Sequence, residues 1–189
     1  MFGKRQSQTP AAPPKPAPAA APAQPSGWLV QALTNDYVAE GYLAPLEMPM
    51  LGYVNMTAQA AITFSPARLT ALEPQAFIAA DTPPEISIVK TTLIALVPGD
   101  EASLASARAQ MPGRTLPALL YAGPYVIRAM IGMMGDMPLR HLFNTGVGNF
   151  VTAADVEVRC QRLGTAFGPL VAPLALLNKT LIQLYHPAV

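Results

Sequence analysis

The stretch Asp136-Met137-Pro138-Leu139-Arg140-His141-Leu142-Phe143-Asn144 decides the reading of this chain, because an echo stands in the first half: Glu47-Met48-Pro49-Met50-Leu51-Gly52-Tyr53-Val54-Asn55. Each reads as one short helix. Asp136 or Glu47 can accept the unpaired amides at its start, proline suits the first turn, and Asn144 or Asn55 can end it in the left-handed conformation. Leu139, Leu142 and Phe143 repeat the spacing of Met50, Tyr53 and Val54. That i, i+3, i+4 stripe predicts one buried face in each copy.

Working outward, the two surroundings match at an offset of about 88 positions. Trp28 to Leu33 and Leu116 to Tyr121 are short apolar runs, followed by turn chemistry at Thr34-Asn35-Asp36 and Ala122-Gly123-Pro124. Period-two alternation then holds in both copies: Tyr37, Ala39, Gly41 and Leu43 in one, Tyr125, Ile127, Ala129 and Ile131 in the other. These sets are expected to face a core, with Glu40 and Arg128 on the opposite face, where they pair across a pseudo-twofold axis. Tyr42 and Met130 share that outer face as candidate interface residues.

Beyond the short helix come strands at Ile62 to Leu72 and Phe150 to Arg159, kinked near the middle, with Ala67-Arg68-Leu69 set against Ala154-Asp155-Val156. Pro66 suggests an edge or bulge, because proline cannot donate to a ladder. Each copy closes on an expected hairpin: Ile86 to Val89 with Leu93 to Val97, and Leu174 to Leu177 with Leu181 to Tyr185. Thr92-Leu93-Ile94 is matched to Thr180-Leu181-Ile182. Leu174 to Leu177 is apolar on both faces, so it should be covered on both. Between the copies, Asp100 can cap a helix from Glu101 to Met111, ended by Pro112-Gly113.

The fold class expected is mostly β: two tandem five-stranded, small-barrel-like repeats, each with one short helix. The domain reading is a Pro/Ala-rich tail at 1–26, repeat 1 at 27–100, a connecting helix at 101–113 and repeat 2 at 114–189. The tail holds seven prolines and no Leu, Ile or Val, too little apolar surface to offset ordering. The Leu116 to Met134 run approaches the length of a membrane span, but Pro117, Gly123, Pro124, Arg128 and Gly132 interrupt it and a strand pair explains it better.

The net charge is +1, yet Lys4, Arg5 and Lys15 fall in the tail, and the other 163 residues carry 9 basic and 11 acidic groups. Such a body has no basic footprint for phosphate backbones. Half the residues are apolar and only 12% are charged, a composition that points to self-association or a protein partner. No leucine-rich run follows Lys4 and Arg5, so no signal peptide is read, and with a single Cys160 the cytoplasm is the expected compartment.

Candidate chemistry is sparse. His141 and His186 stand at no metal-ligand spacing from each other or from Cys160; His141 lies off the apolar stripe and reads as a surface or interface residue. Gly146-Val147-Gly148 lacks a phosphate-loop pattern and precedes a strand. No catalytic residue, metal or cofactor is read. Met130, Met133, Met134 and Met137 are expected to fill gaps in a core.

On these residues each copy resembles a family of small bacterial β-rich domains of unknown function, in which a short helix ending in Leu-Asn leads to a strand with an Asp-Val-like pair and then to an Asn-Lys turn. Leu142-Phe143-Asn144, Asp155-Val156 and Asn178-Lys179 stand in those places; the first copy has Tyr53-Val54-Asn55, Arg68-Leu69 and Val89-Lys90. The resemblance implies a fold and no activity. Ile88-Val89-Lys90-Thr91-Thr92-Leu93-Ile94 is also similar to the second motif of Sm-like small barrels, without its turn glycine or basic rim. The expected function is a non-catalytic scaffold or interaction module acting through apolar faces and strand edges. The alternatives are an Sm-like nucleic-acid-binding barrel and a small-ligand site between the repeats.

Overall fold

A computed structural model of the chain describes residues 27–44, 47–145, 148–162, 164–165 and 167–188; the tail read at 1–26 and most of Gly146-Val147-Gly148 lie outside them. The fold is mostly β. Antiparallel strands β1 (Trp28–Leu33), β2 (Tyr37–Leu43), β3 (Ala61–Ala71), β4 (Ala80–Asp81), β5 (Ile86–Val89) and β6 (Ala95–Pro98) precede β7 (Arg114–Ala122), β8 (Tyr125–Met133), β9 (Phe150–Cys160), β10 (Leu170–Asn178) and β11 (Leu184–Pro187). Helices α1 (Met50–Asn55), α2 (Glu101–Arg108) and α3 (Leu139–Thr145) join them. No helix among the described residues is long and apolar enough to cross a membrane.

All eleven strands belong to one sheet, in the order β11-β7-β8-β9-β10-β6-β1-β2-β3-β4, with β5 beside β4 on the same flank of β3. Two separate closed barrels are therefore not what the pairing gives: the sheet runs through both halves and stays open at its ends. The halves meet where β10 pairs β6, Leu176 opposite Leu96 and Leu177 opposite Ala95. A pseudo-twofold axis that pairs β6 with β10 would also pair β11 with β5. Here β11 pairs only β7 and β5 only β3, so the expected pseudo-twofold pairing does not describe the junction.

Within the halves the pairing follows one pattern. Trp28 to Leu33 pairs Leu43 to Val38 as Leu116 to Tyr121 pairs Ile131 to Val126. Both turns are tight; Gly123 supplies the positive φ of +55° that the turn between β7 and β8 needs, and Leu116 to Met134 is a hairpin rather than a helix. From the short helices onward the offset becomes 89, since Val89 faces Ala61 as Asn178 faces Phe150. The match of Thr92 to Thr180 is thus one residue out, and Lys90 corresponds to Lys179.

The kink expected from Pro66 is a bulge. The β2–β3 register shifts between Gly41 and Leu43, and the β8–β9 register shifts between Arg128 and Met130. The equivalent of Pro66 is Asp155, at φ 49°, so setting Ala67-Arg68-Leu69 against Ala154-Asp155-Val156 slips by two. Sequence matching failed here because a bulge is a backbone feature that two unlike residues can supply.

The terminal hairpins do not form. Lys90–Thr92 and Lys179–Leu181 are single 3-10 turns that carry the chain from the β3 flank to β1, and from β9 to β7. A two-residue hairpin needs positive φ at a turn position, which Lys-Thr-Thr does not favour. The expected helix caps also differ: α1 has Pro49 at its N-cap with no side-chain bond, and Met50 N–H donates to the Ser106 hydroxyl on α2 at 3.0 Å. Asp136 instead meets Arg114, 3.2 Å away.

Helix α2 follows the sequence closely. The Asp100 carboxylate accepts from the Ser103 amide at 2.7 Å and from the Leu29 amide at 2.9 Å, and the Asp100 amide donates to Ser103 Oγ. Its buried side is Ser103 and Ala107, with Leu104 half-buried and Arg108 exposed, because small residues allow close approach to the sheet. Burial alone would raise the Asp100 carboxyl; its hydrogen bonds with Ser103 and Leu29 outweigh that and hold it below the usual range. Asp100→Ala is expected to cost about 1–2 kcal/mol in urea denaturation. With a depressed folded pKa, Asp100 adds stability above about pH 4 that is lost as pH falls through the folded value. The variant's deficit should accordingly shrink below that pH.

Two apolar cores lie on either side of the shared sheet, and each draws on both halves. Leu174, Leu176 and Phe150 join the core of α1, β1 and β3, while Leu33, Val38, Ile94, Ala95 and Val97 join that of β7 to β9. Alternation along β10 sends Leu174 and Leu176 one way and Ala175 and Leu177 the other, which covers this strand on both faces as its composition required.

Candidate functional site

The most built part of the molecule is the junction. Asn178, at the end of β10, donates from Nδ2 to the Lys90 and Leu93 carbonyls at 3.2 and 3.0 Å, while its Oδ1 accepts from the Thr180 amide and hydroxyl. Its own amide donates to the Ile94 carbonyl at 2.9 Å. Asn55, ending α1, clasps the Phe150 backbone: Nδ2 donates to the carbonyl at 3.0 Å and Oδ1 accepts from the amide at 2.8 Å. Phe150 lies beyond the end of the β8–β9 ladder, which leaves those groups open to Asn55. Asn55 therefore does not take the left-handed conformation expected of it; a side-chain amide mimics a strand instead.

At the other side of the junction the Tyr125 hydroxyl donates to the Thr34 carbonyl at 3.1 Å, and burial pushes it well above its ordinary pKa. Arg162 reaches Glu73 at 2.7 Å and Asp36 at 2.9 Å. Those carboxylates are exposed, so the ion pairs add little, roughly 0–1 kcal/mol.

Lys90 and Lys179 each open a 3-10 turn, and both are 8% exposed. The Lys90 ammonium donates to the Tyr53 and Met56 carbonyls at 3.0 and 2.9 Å and lies 5.2 Å from the Tyr53 ring centre. Lys179 reaches the Leu142 carbonyl at 3.4 Å. Each cation thus sits at the carboxyl end of a short helix, where the backbone dipole favours it. Burial lowers both pKa values. Lys90→Met, which keeps the apolar stem and deletes the charge, is expected to destabilise by about 2 kcal/mol in chemical denaturation. A change below about 0.5 kcal/mol would show that the helix end needs no cation.

The sequence-predicted interface residues are not brought together. Glu40 stands opposite Arg68, and Arg128 opposite Glu157, each within its own half. No ion pair joins Glu40 to Arg128 among the described residues, which corrects the expected pairing: β2 and β8 are far apart in the strand order. Tyr42 is half-buried beside Tyr53, Thr63 and Glu85. Met130 lines a different groove with Arg128, Asp155, Glu157 and Val171. His141 is exposed on α3. The methionines divide too, Met133 in the core and Met134 exposed.

Comparisons with protein families, characterised proteins and solved structures find no match. Among the described residues no cluster of His, Cys, Asp or Glu is arranged to hold a metal, and no buried side-chain nitrogen or oxygen lacks a partner. The convergent polar groups between the halves, Asn55 and Asn178, bond to backbone rather than to an open space. What stands open among the described residues is the sheet edge at β11 and, at the other end, the edge that β4 and β5 share. Val89 and Leu184, on those strands, are among the few large apolar side chains left exposed. The sequence reading put interface residues on the outer faces of β2 and β8, and named strand edges without assigning residues to them. The signal available was the pair of buried-type residues, Val89 and Leu184, flanking each Lys-containing turn.

Proposed function

We propose that this chain is a non-catalytic assembly module, built from two tandem copies of one small five-stranded unit with a short helix, and that it acts by adding strands edge to edge. The observation that carries this reading is the junction, where β10 pairs β6 and the chain already joins its halves by that device. The equivalence of Lys90 with Lys179, of the two bulges and of the two 3-10 turns supports the duplication. The likeness of each half to small bacterial β-rich domains belongs to the same reading, and a single half-buried Cys160 fits a reducing compartment such as the cytoplasm. Unpaired edges bearing apolar side chains favour association. Size-exclusion chromatography with light scattering on the full chain tests it. A mass above the 19.9 kDa of one chain at micromolar concentration is expected, and a monomer throughout would overturn it.

A second reading, an Sm-like nucleic-acid-binding barrel, draws support from the strand order within each half. The second half runs β11-β7-β8-β9-β10 and the first β6-β1-β2-β3 with β4 and β5 both beside β3, and in each a 3-10 turn precedes the last strand. It predicts salt-dependent binding of single-stranded RNA, and no anisotropy change at about 50 mM salt would dismiss it.

A further inference from the structure

β11 at one end of the sheet, and β5, which shares the other end with β4, are the equivalents of the two strands already paired at the junction. By the offset of 89, β10 residues 175–178 correspond to β5 residues 86–89, and β6 residues 95–98 to β11 residues 184–187. One member of each equivalent pair is covered and the other bare. Asn178 is 1% exposed where Val89 is 49%, and Ala95 is 0% exposed where Leu184 is 66%. By pairing β10 with β6 internally, the sheet leaves their counterparts β5 and β11 unused, at opposite ends.

Resting on the assembly reading above, we infer that β11 of one chain pairs antiparallel with β5 of a second copy, repeating the β6–β10 junction between molecules. The register follows from the internal one. Leu96 opposite Leu176 becomes Tyr185 opposite Ser87 of the next chain; Ala95 opposite Leu177 becomes Leu184 opposite Ile88. The Asn178 amide bond to the Ile94 carbonyl becomes a bond from the Val89 amide to the Gln183 carbonyl.

A second contact points the same way. Asn55 clasps the Phe150 backbone at the internal junction, and its equivalent on α3, Asn144, is exposed and makes no side-chain hydrogen bond among the described residues. Across the new junction its partner is the equivalent of Phe150, namely Ala61. Ala61 lies beyond the end of the β2–β3 ladder, as Phe150 lies beyond β8–β9. The equivalent of Asn178 is Val89, which has no side-chain amide, so the junction between chains lacks one clamp and is the weaker and reversible one. The contact is heterologous, head to tail, and successive copies make a closed ring or an open filament according to the rotation per chain.

Complementation between two edge-blocked full-length chains tests this. Val89→Lys blocks β5 and Leu184→Lys blocks β11; both positions are exposed, so the fold, followed by circular dichroism, is retained. Each variant alone is expected to associate at least about tenfold more weakly than the unmodified chain, since a lysine on either edge opposes pairing. Mixed, the two restore one junction only, giving a 1:1 dimer that does not grow. Val89→Asn, which returns the missing amide, is expected to tighten association by about tenfold. An oligomer that persists unchanged in both lysine variants overturns this junction while leaving the assembly reading intact. An unmodified chain that is monomeric at every concentration overturns both.

Discussion

Asn178→Leu is expected to cost about 3–5 kcal/mol, enough to threaten the folded state of a domain of ordinary stability. Leucine keeps the branched outline of asparagine with two methyl groups in place of the amide, so the loss is that of the hydrogen bonds with some overpacking added. The side chain is 1% exposed and its amide serves the Lys90 and Leu93 carbonyls, while its oxygen serves Thr180. Removing it takes away the side-chain partner of the Leu93 carbonyl and the acceptor of the Thr180 amide, and leaves the Lys90 carbonyl only the 3.3 Å bond from the Leu93 amide; each buried group left unpaired costs about 1–3 kcal/mol. The damage should fall on the joint between the halves, because Asn178 belongs to the second half and the two carbonyls to the first. Urea denaturation read by circular dichroism gives the size of the loss. Thr180→Val, which removes only the local hydroxyl, is the control and should cost less than about 1 kcal/mol. Equal losses in the two variants would mean that the turn, and not the clamp across the junction, carries the energy.

Gly41→Val is expected to destabilise by about 3 kcal/mol or more, at the upper end for overpacking. A Cβ at Gly41 would stand 2.6 Å from the Pro66 carbonyl oxygen, 3.0 Å from Phe64 Cβ and 3.1 Å from Ala67 Cα. Those atoms belong to the bulged part of β3, and backbone cannot step aside as a flexible side chain does. Relief requires β2 and β3 to separate where their register shifts. Gly113→Ala supplies the contrast, since a Cβ there meets nothing within 4 Å, and it should fall within about 0.5 kcal/mol of the parent. Thermal or chemical denaturation of both variants decides the matter; a tolerated valine at Gly41 would show that the bulge is free to move.

The alternation of Tyr37 to Leu43 and Tyr125 to Ile131 located β2 and β8, and the four residues named in the second strand are all buried. Asp100 announced helix α2, Gly123 its turn, and the apolar Leu174 to Leu177 its own double coverage. These follow from local chemistry: side-chain period, a capping carboxylate, a positive φ. That Glu40, Arg128, Tyr42, Met130 and His141 are not grouped together did not follow, because they were chosen by the face they occupy. Where those faces end up depends on a strand order that no side chain specifies.

What the amino-acid sequence determined by itself is the inventory of elements and the face each one buries, since alternation and helical spacing act within a few residues. Only the tertiary structure decided that β10 crosses to β6, that Lys90 and Lys179 turn inward to close the short helices, and that β5 and β11 remain open. Strand edges recognise one another through amides and carbonyls that every residue but proline carries alike. Which edge meets which is therefore set by the packing of whole layers, and is not written in any one stretch of the chain.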